Sequence, residues 1–199
     1  MLTSGAARSR SVHLALDTSR GLRVGAVGLA ALLTAVASQI SVPLPFTPVP
    51  LTLQPTIVLL AGAVLGARAG ASSQVAYLLA GLAGLPVFAW SPALLPGIAR
   101  LMGPTGGYLL SYPLAALVVG ALVERGWGRR YAGSVGVLAV GMGVTLTGGL
   151  VGLLIVTPEA ATGGLAAAFQ VGVLPFLGAD LIKIAVAAPL LPLLARRRP

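Results

Sequence analysis

The sequence predicts an all-α integral membrane protein, a bundle of six transmembrane helices, and three observations carry that expectation. The first is composition. Of 199 residues 57% are hydrophobic and 9% charged, with a mean hydropathy of +0.98, whereas soluble domains carry about 25% charged residues because water must meet a polar surface. The second is arrangement: apolar runs near the length of about 20 residues that a helix needs to cross a hydrocarbon core of about 30 Å recur along the chain. The third removes the alternative. A membrane barrel needs strands of about 10 residues with alternating polar and apolar positions, and the sequence has no such pattern.

Residues 1–21 read as a basic cytoplasmic arm. The first span covers residues 22–40, the second 51–67, the third 70–89, the fourth 106–123 and the fifth 131–156. The remaining apolar stretch, 164–195, would form a helix of about 48 Å, longer than the bilayer core. Pro175 breaks it, leaving a short surface helix and then a sixth span over 175–194, whose far end Pro189 and Pro192 fray. The transmembrane domain is therefore 22–195, and 196–199 is a basic cytoplasmic tail. Ala35, Val36 and Ala37 before Ser38 resemble a signal-peptide cleavage site. The apolar run and the basic arm are both long for a signal peptide, and cleavage would leave an odd number of spans, so the segment is read as a retained helix.

Orientation follows from the arginines. With the N-terminus inside, the cytoplasmic segments hold Arg8, Arg10, Arg20, Arg23, Arg68, Arg125, Arg129, Arg130, Arg196, Arg197 and Arg198, while the outer loops hold Arg100 alone. Both termini are thus expected in the cytoplasm, with the chain in a bacterial inner membrane. The net charge of +9 is explained by topology and lipid contact, not by a nucleic-acid partner. There is no cysteine and a single histidine, His13 in the arm, so no metal site, thiol nucleophile or triad is expected. No P-loop and no acid/base dyad occur, so neither nucleotide hydrolysis, nor a cofactor, nor enzymatic catalysis is expected of this chain.

Asp180 and Lys183 are the ionisable residues placed inside a span, and three positions apart they share one helix face. Intramembrane charge points to function, with a self-neutralising structural pair as the competing reading. Together they offer an acceptor for N–H groups and a donor for a carbonyl oxygen, which suits a urea or amide head group. Arg100 could grip a ligand carboxylate in two-pronged fashion, or contact lipid phosphate at the outer surface. The turn from Gly103 to Tyr108 starts the fourth helix, with Thr105 as a cap and its N–H groups as an anion site or a plain helix start. The loop from Ser41 to Gln54 carries Pro43, Pro45, Pro48 and Pro50, and reads either as a stiff connection or as a lid presenting Thr47 and Gln54. Trp90, Tyr108, Trp127 and Tyr131 fall at span ends, where rings anchor in the interface; Tyr108 is carried as a ligand candidate too. Ala26, Ala30, Ala31 and Ala35 make a small-residue face suited to close helix approach.

The stretches FTPVPLTLQ, GLPVFA, GPTGGYLLSYP and PFLGADLIK resemble the BioY family, and the similarity runs from about residue 22 to 198. These are biotin-binding substrate-capture subunits, or S components, of energy-coupling-factor transporters. After GLPVFA many relatives are Gly-rich, whereas this sequence reads Trp90, Ser91, Pro92. The resemblance implies an S-component-type bundle that binds biotin tightly from outside, with Asp180 and Lys183 in the site. It also implies docking of the Ala26, Ala30, Ala31 and Ala35 face on a transmembrane coupling subunit that works with two ATPases; a homo-oligomer is compatible as well. Biotin would offer its ureido ring to Asp180 and Lys183 and its carboxylate to Arg100, with the carboxylate on Lys183 as the alternative. The rival functions are a capture subunit for another vitamin and a proton-coupled secondary transporter using Asp180.

Overall fold

The structure is a computed structural model and describes residues 20–90, 97–156 and 158–196. His13, Arg8, Arg10, Arg197 and Arg198 lie outside the described residues. The order of elements is α1 (Arg20–Gln39), β1 (Ser41–Val42), β2 (Leu51–Thr52), α2 (Gln54–Leu65), α3 (Ala67–Leu82), α4 (Ile98–Leu101), α5 (Gly106–Glu124), α6 (Tyr131–Val156), α7 (Pro158–Gly172), α8 (Leu174–Ala187) and α9 (Leu190–Arg196).

Helices dominate, as the composition predicts, but the spans are less uniform than expected. Four helical stretches are long and apolar enough to cross a membrane: Arg20–Gln39, Gly106–Glu124, Tyr131–Val156 and Gly163–Leu193. The second and third expected spans shrink to α2, with 12 residues, and α3, with 16, or about 18 and 24 Å. Apolar sequence had been counted into them that the chain uses otherwise. Residues 51–52 pair as β2 with β1, Ser41 opposite Thr52 and Val42 opposite Leu51, so the proline-rich loop closes into a short ribbon. Residues 83–89 leave α3 and fold back across the bundle. Gly66, at φ 86°, makes the sharp reversal between α2 and α3 that residues with a Cβ rarely adopt. At the other end, Pro175 does open a new helix: Val173 leaves helical geometry and α8 begins with Pro175 in its first turn. A further break at residues 188–189 separates α9.

Glycine and alanine let the helices approach backbone to backbone. A Cβ on Gly107 would sit 2.2 Å from the carbonyl oxygen of Gly148, and one on Gly120 2.4 Å from the Ala67 nitrogen. Those contacts run α5 antiparallel to α6 and bring its C-terminal end to the start of α3, where Glu124 Oε1 accepts from the Ala67 amide at 2.8 Å. Val58, Tyr77, Tyr112, Ala116, Val119 and Leu138 fill the centre. The outside is apolar instead of charged: Val24, Leu181, Val186 and Ile155 are two-thirds or more exposed, as expected where lipid is the solvent. Exposed arginines Arg20, Arg23, Arg68, Arg125, Arg129 and Arg130 gather at one end, on the starts of α1 and α3 and the α5–α6 connection.

The small-residue face of α1 packs within the bundle. Ala30 is buried in a cluster with Ala61 and Leu65, Ala26 packs on that cluster, Ala35 belongs to the main core and Ala31 lies against it. Close spacing of small residues signals close helix approach without saying whose helix approaches. Here α2 and α3 use that face, and α1 turns Val24, Leu29, Leu32 and Val36 outward.

Candidate ligand-binding site

At the end of the bundle away from the arginine cluster, a cavity opens between the β1–β2 loop, the segment after α3, α4 and the facing surfaces of α5, α6 and α8. Its charged lining residues are Asp180, Lys183 and Arg100, which leaves one positive charge uncompensated.

Asp180 and Lys183 stand on α8. Their i, i+3 spacing closes an ion pair, Lys183 Nζ to Asp180 Oδ1 at 2.9 Å, with the two side chains 11% and 7% exposed. Six residues after Leu174, Asp180 lies about 9 Å along the helix from its start. Arg100 stands on α4, brought against the start of α5 by a turn that only glycine fits: a Cβ on Gly106 would be 1.8 Å from Leu101 O. As a residue Arg100 is 5% exposed. Nη2 donates to Ala89 O at 2.6 Å, while Nε and Nη1 are buried without a hydrogen-bond partner among the described residues. Burial pulls its pKa below the ordinary value, yet an arginine stays charged. A buried cation with two donor nitrogens unpartnered among the described residues could receive an anion.

Gln54 also lines the cavity, as the first residue of α2. Thr52 Oγ1 donates to its side-chain oxygen at 3.4 Å, and its amide nitrogen donates to the Tyr77 hydroxyl, which in turn donates to Val87 O at 3.1 Å. Tyr108 is buried against the site, its hydroxyl donating to Gly172 O and its ring edge-on to Phe176 at 6.2 Å. Thr47 is different. Its hydroxyl donates to Val171 O at 2.7 Å and accepts from the Val49 amide, so it fastens the loop to α7, and the cavity lining does not include it. Thr105, read as a helix cap, makes no capping bond; it lines the cavity with its hydroxyl buried and without a partner among the described residues. Tyr112, Met142, Thr145 and Phe176 complete the wall and were not singled out from the sequence. Helical spacing from the residues that were could have found two of them: Tyr112 follows Tyr108 by four positions, and Phe176 precedes Asp180 by four.

The family model described as "BioY family" matches residues 12–199. The chain belongs to the BioY family. The probable biotin transporter BioY of Pyrococcus horikoshii is 40% identical to it over 164 residues, 82% of this chain and 90% of that one. The biotin transporter BioY of Thermotoga maritima is 38% identical over 161 residues, 81% and 88% of the two chains. A crystal structure described as the S-component for biotin from an ECF-type ABC transporter superposes with a TM-score of 0.76 across 90% of this chain and 95% of that one, at 21% identity. That similarity shows a shared fold. Within the BioY family fold, the charges of this chain fall where its cavity is.

Proposed function

We propose that this BioY-family chain captures biotin in the cavity between α8 and α4 and serves as the substrate-specificity subunit of an uptake system. The observation that carries the reading is the pairing, in one cavity, of an Asp180–Lys183 couple with an Arg100 guanidinium whose Nε and Nη1 have no hydrogen-bond partner among the described residues. A ureido ring donates its N–H groups to a carboxylate and accepts at its carbonyl oxygen, so Asp180 and Lys183 can hold both halves of it at once. The valerate carboxylate then meets Arg100 in charge-assisted bonds. A monoanion neutralises the cavity's surplus positive charge, and apolar walls including Phe88, Leu109 and Phe176 suit the ring sulfur and the alkyl tail.

On this reading α1, α2, α3, α5, α6 and the α7–α9 stretch make six crossings, with the short α2 and α3 spanning only by help of their flanking segments. The arginine-rich end faces the cytoplasm, and the cavity faces outward. On this reading the energy for net accumulation comes from a coupling subunit and two ATPase subunits, with uptake by this chain alone as the alternative.

Calorimetric titration of the detergent-purified protein with biotin and with its methyl ester tests the assignment. Tight binding of biotin, weakened in Asp180→Asn and Lys183→Ala for both compounds and in Arg100→Gln for the acid alone, is the expected pattern. A folded wild-type protein that ignores biotin sinks the reading. An acid preference lost in Lys183→Ala instead of Arg100→Gln reverses the ligand in the cavity.

A further inference from the structure

Five consecutive carbonyl groups after α3 are held by side chains. Gln39 Nε2 lies 3.3 Å from both Pro86 O and Phe88 O. Ser38 Oγ donates to Val87 O at 2.7 Å, which also accepts from Tyr77. Arg100 Nη2 donates to Ala89 O at 2.6 Å, and Ser41 Oγ to Trp90 O at 3.3 Å. Phe88 and Ala89 are buried while Pro86 and Trp90 are exposed; buried backbone must be satisfied somewhere, and here three of the five donor side chains belong to the end of α1 and the residue pair after it. Ser38 has one proton, with Ala35 O also in reach at 2.6 Å, and Gln39 also reaches Ser38 Oγ at 2.6 Å. The two therefore act as one shared donor set over the segment.

Phe88 and Ala89 line the cavity, and Ala89 O is the partner that orients the Arg100 guanidinium. Where Ala89 O sits decides where Nε and Nη1 point. We propose that Ser38 and Gln39 are positioning residues for Arg100: by pinning Pro86, Val87 and Phe88 they fix Ala89 O, and through it the aim of the guanidinium at the ligand carboxylate. The proposal rests on the carboxylate being the group that Arg100 receives. It also ties α1 to the cavity. A shift of the α1 end changes ligand affinity, and by reciprocity the bound ligand holds the α1 end.

The test titrates wild type, Gln39→Leu, Ser38→Ala, Arg100→Gln and the Gln39→Leu/Arg100→Gln double variant with biotin and biotin methyl ester. Gln39→Leu and Ser38→Ala are expected to weaken the acid by about tenfold while the ester stays within about twofold. In the Arg100→Gln background, Gln39→Leu adds less than about twofold for the acid, since the group it positions is gone. Equal weakening of acid and ester, or additive effects in the double variant, overturns the proposal. Gln39 is exposed, so its replacement leaves the fold in place, and a readout without ligand is available: amide hydrogen exchange across 86–90 is expected to speed up in Gln39→Leu. Unchanged exchange overturns the clamp. A wild type that binds neither compound removes the biotin reading, and the exchange comparison then decides the clamp alone.

Discussion

Two of the three guanidinium nitrogens of Arg100 have no hydrogen-bond partner among the described residues, and that sets its behaviour under mutation. A buried guanidinium with Nε and Nη1 unpartnered weakens the empty protein, by roughly 1–3 kcal/mol for an unmet buried donor and more for a charge. Arg100→Met is therefore expected to raise the melting temperature of the ligand-free protein by several degrees while abolishing the extra stabilisation that biotin confers, both read in one pair of thermal scans. The Asp180–Lys183 pair behaves in the opposite way. Removing either partner strands the other charge, at about 3–5 kcal/mol, whereas replacing both with apolar residues of similar size is near neutral. Asp180→Leu with Lys183→Met should melt near wild type without binding biotin, and either single variant should melt lower. A double variant that still binds would make the pair structural. These three charges were legible in the sequence because a charge in an apolar run is conspicuous. Thr47 and Thr105 were not: a hydroxyl on a loop carries no mark of which way it faces, and the structure sends Thr47 to Val171 and Thr105 into the cavity.

At the scale of elements, apolar runs give the helices and not their ends. The first, fourth and fifth spans agree with α1, α5 and α6 to within a few residues, since Arg20, Gln39, Glu124 and Tyr131 bound them. The second and third were overdrawn because ribbon residues Leu51 and Thr52 and the folded-back segment ending at Ala89 are as apolar as a helix. Hydropathy does not distinguish a residue that meets lipid from one that meets a ligand. The α5–α6 pair makes the strongest prediction here. Gly107 meets the backbone of Gly148 and Gly152, the latter with a nearest approach of 2.8 Å for an added Cβ, and backbone cannot rotate aside. Gly107→Ala should cost about 1–3 kcal/mol by overpacking and splay the site end of the pair, lowering the melting temperature and weakening biotin together. Gly136, with nothing within 4 Å of an added Cβ, is the control, and Gly136→Ala should do neither.

At the scale of the whole molecule, six exposed arginines among the described residues mark one end and the cavity the other. The chain has no cysteine, so a single Trp127→Cys variant has one reactive thiol in the α5–α6 connection. On the proposed orientation a membrane-impermeant thiol reagent should label it only after cells are opened, and labelling of intact cells would invert the topology. The cavity's charge also has an electrical consequence. A biotin anion entering it moves one negative charge into the field of an energised membrane, inside negative, and that field opposes the step by about 2.3 kcal/mol per 100 mV for full passage. On the proposed reading the carboxylate stops at Arg100 on α4, outside the spanning helices, and even the neutral ureido ring at Asp180 reaches only about 9 Å along α8 in a core of about 30 Å. A site that shallow meets at most about a third of the voltage, so capture should weaken only a few-fold when a bilayer is charged, and the cell's own potential would cost the protein little of its grip.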